Sequence, residues 1–233
     1  MHATPVALSP ARSRAEKILA VIAIAVGTTS LIITSILQWM LQPAGPRPTA
    51  VDAAEQFPAA WLLVALLSVC GTLCWIGGIP SAIRLAPNRG GVLALIGGTI
   101  TGAGLAAGIG HLALYFGFSS AVAASGVNDD AREALSTAGD GDALGNLLLV
   151  VFLVAFSLGP VILTIGLRIA GAVPVWVPVA ALVTAGASFF GGPVAGIVQL
   201  VSLVLVWAPM AVAILRPQPA ALGVSKAGAA AMS

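Results

Sequence analysis

Very few side chains in this sequence have both the type and the spacing to do chemistry. Cys70 and Cys74 stand one turn apart on one face of a helix, where paired thiolates could take a soft metal or cycle to a disulfide. A metal needs further ligands, and the remaining nitrogen donor, His111, belongs to another apolar segment and lies nearer the outer surface. His2 is in the amino-terminal tail, so a haem held by two imidazoles has no second ligand beside His111. His111 is left with two readings, a hydrogen bond to a neighbouring helix or a ligand- or pH-sensing role. Gly139-Asp140-Gly141-Asp142 carries the Gly-x-Gly-Asp string of intramembrane aspartyl proteases, yet no second aspartate occupies an apolar segment to complete a two-carboxylate site. As a Ca²⁺ loop it lacks the EF-hand frame and its closing glutamate. No serine-protease, Walker, dinucleotide or nucleic-acid signature occurs. The chain is expected to hold no catalytic centre, no metal and no cofactor, and to bind no nucleic acid.

Neutral polar groups are what is left. Ser30, Thr34 and Gln38 form an i, i+4, i+8 stripe, and Gln199 and Ser202 are one turn apart on a later segment. With His111 they make up a candidate polar cavity open to the outside. Interhelical hydrogen bonding explains the same residues.

The elements that position these groups follow from composition. The chain of 233 residues has 10 Lys+Arg and 8 Asp+Glu, is 59% hydrophobic, and has a mean hydropathy of +1.06. A soluble domain at the usual quarter charged would carry roughly 58 charged residues. A soluble fold of this size could not hide so much apolar surface, so the chain belongs in a bilayer. A helical span needs about 20 apolar residues. Segments 18–41, 58–83, 91–116, 144–167 and 194–215 meet that length, and 174–190 falls at its short end. With all six counted, Arg12, Arg14, Lys17, Arg84, Arg89, Arg168, Arg216 and Lys226 fall on one side and only Arg47 and Arg132 on the other. That bias predicts both termini in the cytoplasm, and dropping the short span would strand Arg216 and Lys226 outside. The fold class is therefore an all-α membrane bundle of six transmembrane helices, with a cytoplasmic tail over 1–17, a membrane domain over 18–216 and a disordered tail over 217–233.

Close packing in lipid requires small residues, and Ala94, Gly98, Gly102, Ala106 and Gly110 form an i, i+4 stripe on the third span. That stripe is expected to seat this helix at the bundle centre. Gly104 and Gly108 add a second small pair on a neighbouring face. Pro160 and Pro209 should kink their helices by freeing the carbonyls of Phe156 and Leu205. Trp75 and Trp207 lie deep and should pack between helices. The one large loop, 117–143, is acidic, and Asn128 to Leu135 reads as a capped short helix with acids in its first turn.

Gly159-Pro160 through Gly166-Leu167-Arg168, followed by Val173-Pro174-Val175-Trp176, resembles a stretch of uncharacterised six-span bacterial membrane proteins known only as domains of unknown function. The resemblance covers about a fifth of the chain, spans four and five, and implies a fold type without an activity. It also points to a bacterial cytoplasmic membrane. The expected function is a non-enzymatic membrane component that works with the bilayer and with a membrane-protein partner or a second copy of itself. The alternative is a carrier or channel for a small neutral or apolar solute, and a membrane enzyme or redox protein comes third.

Overall fold

A computed structural model describes residues 10–41, 49–87, 89–190 and 192–216, with side chains from residue 14 onward. The elements are α1 (Pro10–Met40), α2 (Ala50–Gln56), α3 (Pro58–Ile83), α4 (Gly91–Ala124), α5 (Asp129–Asp140), α6 (Ala143–Ile169), α7 (Trp176–Ala187) and α8 (Pro193–Leu215). The described residues contain no strand. Five helices are long and apolar enough to cross a membrane, and α7 is a shorter apolar helix. The 1–17 segment is helical from Pro10 onward, while 1–9 and 217–233 lie outside the described residues.

Local chemistry sets the helix ends. Pro58 and Pro193 start α3 and α8 at positions where a missing N–H is harmless. The side chains of Asn128 and Asp142 cap α5 and α6, accepting from the N–H groups of Ala131 and Gly145. After α6, Gly171 adopts φ +73° while Ala172 N–H donates to Leu167 and Gly171 N–H to Arg168. That left-handed cap stops the helix beside Arg168.

The six longest apolar helices close into a ring in chain order. α1 packs on α3, α3 on α4, α4 on α6, α6 on α7, α7 on α8, and α8 returns to α1. Inside the ring Trp75 meets Trp207 edge to face at 4.8 Å and Phe156 at 5.4 Å. Both indoles are buried, as their depth in the sequence predicts.

The small-residue stripe divides between neighbours. Ala94 packs on Gly166 of α6, Gly98 and Gly102 face Ile79 of α3, Ala106 is exposed, and Gly110 faces Leu148 of α6. Four residues advance a helix by about 400°, so an i, i+4 row drifts by about 40° per step and leaves any one neighbour. The tightest seam instead alternates steps of four and three, through Gly90, Ala94, Gly97, Thr101, Gly104 and Gly108. It meets Gly166, Leu163, Gly159, Ala155 and Phe152 of α6, which runs antiparallel. A Cβ on Gly97 would overlap the backbone of Leu163, and one on Gly159 would lie 2.6 Å from the backbone nitrogen of Thr101. α1 and α3 interlock similarly, with Gly27 under Trp75, Gly71 under Ser30 and Gly78 under Ile24.

These contacts gather the charges at two ends. Glu16 pairs with Arg84 at 3.8 Å, Lys17 donates to the Arg216 carbonyl, and Gly90 abuts Gly166 near Arg168. The opposite end holds Trp39 against Gly196, Trp61 against Phe116, and the acids of α2 and α5. α7 runs antiparallel to α8, with Thr184 donating to Ser202 and Gln199 to Ser188.

Gly97→Ala should lower stability by about 1–3 kcal/mol, the usual penalty of overpacking. Gly77→Ala, with open space around its Cβ position, should be neutral or stabilising. Thermal unfolding in detergent, followed by tryptophan fluorescence, compares the two.

Candidate binding site at the acidic end

α4 continues to Ala124, well past the expected span end at Phe116. Its last two turns stand beyond the tight seam with α6. The acidic segment folds back over them as α5, which extends beyond the expected Leu135 to Asp140. Together with the start of α2 and the first turns of α6, they enclose a cavity of about 780 Å³. That volume is in the range of small-molecule sites.

The walls differ in chemistry. His111, Tyr115 and Phe118 project from one face of α4 at i, i+4 and i+7. Leu114, Leu144 and Leu149 extend the apolar surface, and Asp140, Asp142 and Asn146 supply polarity on the α5–α6 side. Among the described residues, no lysine or arginine lines the cavity. His111 Nδ1 lies 3.0 Å from the carbonyl oxygen of Gly145. A carbonyl only accepts, so Nδ1 is the donor in this contact. The ring stacks on Tyr115 at 6.1 Å and 22°. Asp142 is occupied as the α6 cap, whereas the Asp140 backbone carbonyl, and not its carboxylate, accepts from Asn146 Nδ2 at 2.9 Å. The Asp140 carboxylate accepts no hydrogen bond from a described residue.

α5 has no buried residue and is tied to α2 by its arginine. Arg132 donates to Glu55 of α2 and lies 4.0 Å from Asp52. The hydrogen bond to Glu55, with the neighbouring carboxylates, raises the Arg132 pKa above its ordinary value and keeps the guanidinium charged. Asp52 is itself fixed in a capping box, accepting from the N–H and hydroxyl of Thr49 at 2.8 Å each. Ala53 and Ala54 then seat α2 on the cluster containing Trp61, Val64 and Phe116.

The other sequence candidates lie elsewhere. Ser30 is buried over Gly71, and Thr34 donates to the Leu31 carbonyl within its own helix. Gln38 is exposed. Gln199 and Ser202 are bound to Ser188 and Thr184 between α7 and α8. His111 is therefore not brought together with them; its cavity is at the α4–α6 side of the ring. Cys70 and Cys74 are free and exposed. Among the described residues, no group of three or more His, Cys, Asp or Glu converges as a metal site. The sequence pattern does not disclose this cavity, because its aromatic row divides between an expected span and an expected loop; the i, i+4, i+7 spacing of His111, Tyr115 and Phe118 is its signal.

Comparison with protein-family models, with curated proteins and with solved structures gives no match, so the functional reading rests on geometry.

Arg132→Ala should release α5 from α2. Hydrogen exchange of 129–140 should accelerate, while the seam residues of α4 and α6 keep their protection. Unchanged exchange in 129–140 would show that the ion pair does not hold the cap.

Proposed function

We propose that this protein is a non-enzymatic component of a bacterial cytoplasmic membrane, crossing it six times with both termini inside, and that it acts by binding at its outer, acidic end. The observation that carries the reading is the capped cavity. It is a large concave site, and it lies at the end opposite Lys17, Arg84, Arg168 and Arg216. The positive-inside bias assigns that basic end to the cytoplasm and the cavity to the outside. For the six-span count, the support is the course of the chain. α6 ends at the basic end and α8 begins at the other, near Trp39, so α7 joins opposite ends despite its length of 12 residues. About 18 Å of helix is short for the hydrocarbon, and the turns at 188–190 and the segment before Trp176 lengthen the crossing. The partial resemblance of α6 and α7 to six-span bacterial proteins favours the same count.

Transport of a small neutral solute draws less support. Its proposed lining is used up: Gln199 and Ser202 hold α7 to α8, and Trp75, Trp207 and Phe156 fill the ring. Gln38→Leu and Gln199→Leu should therefore leave solute-linked phenotypes intact, while deletion of 128–142 should abolish association with a partner or ligand. The reverse pattern would favour a carrier.

Topology is tested with Cys70 and Cys74 first replaced by alanine, because both are exposed. Ala138→Cys should react with an impermeant maleimide on intact cells, and Ala221→Cys only after permeabilisation. Labelling of position 221 from outside would remove the sixth crossing.

A further inference from the structure

We infer that the outer cavity binds an amphipathic organic cation, with its ammonium head at Asp140 and its apolar chain against the leucines of α4 and α6. This inference deepens the binding reading above and rests on it.

Three features converge. The cavity combines an apolar wall with aromatic faces, a surface that takes a hydrocarbon chain. Tyr115 and Phe118 line the cavity, and aromatic rings attract a cation, an ammonium above all when it is partly desolvated. The carboxylates of Asp140 and Asp142 share the same wall, and the cap around them adds Asp129, Asp130 and Glu133. The one basic side chain of that cap, Arg132, is committed to Glu55 and Asp52 of α2. Among the described residues no cation therefore answers the Asp140 carboxylate, whose field the cavity keeps. An anionic head would meet two carboxylates and no lysine or arginine of the described lining. A neutral head would gain hydrogen bonds at Asn146 and Ser136 but would leave the charge unanswered.

The ammonium could arrive on a soluble amphiphile or on a lipid such as phosphatidylethanolamine. The shared chemistry is an ammonium group carried by an apolar chain, and the test separates the sources. Full-length protein in maltoside micelles is titrated with octyltrimethylammonium, octyl glucoside and octyl sulfate, which share a tail and differ in head charge. Binding is read by calorimetry and by the thermal midpoint. The cation should bind about tenfold more tightly than the other two, a preference that one charge contact with aromatic neighbours supports. Asp140→Asn should remove that preference, and Asp140→Glu should retain it. Tyr115→Leu, which leaves every carboxylate in place, should weaken the cation several-fold more than the glucoside. Native mass spectrometry of micelles doped equally with phosphatidylethanolamine and phosphatidylglycerol forms the lipid arm. Retention of the ethanolamine lipid that depends on Asp140 assigns a lipid; cation binding without retention assigns a soluble amphiphile.

Equal binding of the three octyl compounds, or an undiminished preference in both Asp140→Asn and Tyr115→Leu, overturns the inference. Those outcomes leave the outward-facing, non-enzymatic reading standing. That reading fails separately, if the cysteine at position 138 reacts only from inside while detergent-phase binding persists.

Discussion

The fold depends on how closely α4 and α6 approach. In lipid the tails are as apolar as leucine, so burial does not draw helices together as it does in water. Close backbone contact has to supply the attraction, and here it is made by small residues in alternating steps of four and three. Gly97 and Gly104 admit the backbone of α6, and Gly159 and Gly166 admit that of α4. Thr101 can join this seam because its hydroxyl donates back to the Gly97 carbonyl and leaves no polar group unpaired. An average step of 3.5 residues keeps the row on one neighbour, as in a left-handed coiled coil. The two faces of α4 thereby divide, one for α6 and one for Ile79 and Ile83 of α3.

Where the small residues end, the cavity begins. Gly108 still accepts Phe152, but the next positions along α4 toward the acidic end are His111, Leu114, Tyr115 and Phe118. Such side chains hold the helices apart. His111 meets the Gly145 carbonyl at the wall of the cavity. Close packing below and space above are thus two consequences of one sequence gradient along α4. The ring closes by a different chemistry at α7 and α8, where hydroxyls and an amide bond across the interface. Ser202, Thr184 and Ser188 can each donate to a carbonyl of their own segment, Val198, Ala180 and Thr184, so the hydroxyls stay satisfied whether or not the neighbour is in place. That makes them tolerant fasteners compared with the glycine seam.

Much of this architecture is legible in the amino-acid sequence. The apolar lengths mark the five long helices, Pro58 and Pro193 mark two starts, and Asn128 marks the start of α5. The depth of Trp75 and Trp207 is legible too. The stripe on α4 reads as one face but divides between α3 and α6, because a fixed i, i+4 row looks regular in one dimension while it turns around the helix. The overrun of α4 to Ala124 is hidden by Gly117, Ser119 and Ser120, which resemble a loop in composition. In the fold, Ser119 donates to the Tyr115 carbonyl and continues the helix. α2 leaves no periodic trace because seven residues give too few turns for a period to show. The candidate cavity requires all three features at once, which no single window of sequence contains.

The division of labour between seam and cap has a consequence for dynamics. α4 and α6 are joined by backbone-close packing in a dry interior, whereas α5 has no buried residue and is held to α2 through an exposed ion pair and to Phe118 through Gly139. Elements with few buried contacts open at a small fraction of the global unfolding free energy. α5 can therefore part from the bundle without disturbing the ring. Tyr115 belongs to α4 and Asp140 to α5, so a ligand that bridges them also tethers α5 to α4. Such a ligand stabilises the closed cap by its differential affinity for that state. Arg132 and Asp140 are eight residues apart on α5, about 80° around the helix, so the ligand and the Arg132 pair would hold neighbouring faces of α5 against the bundle.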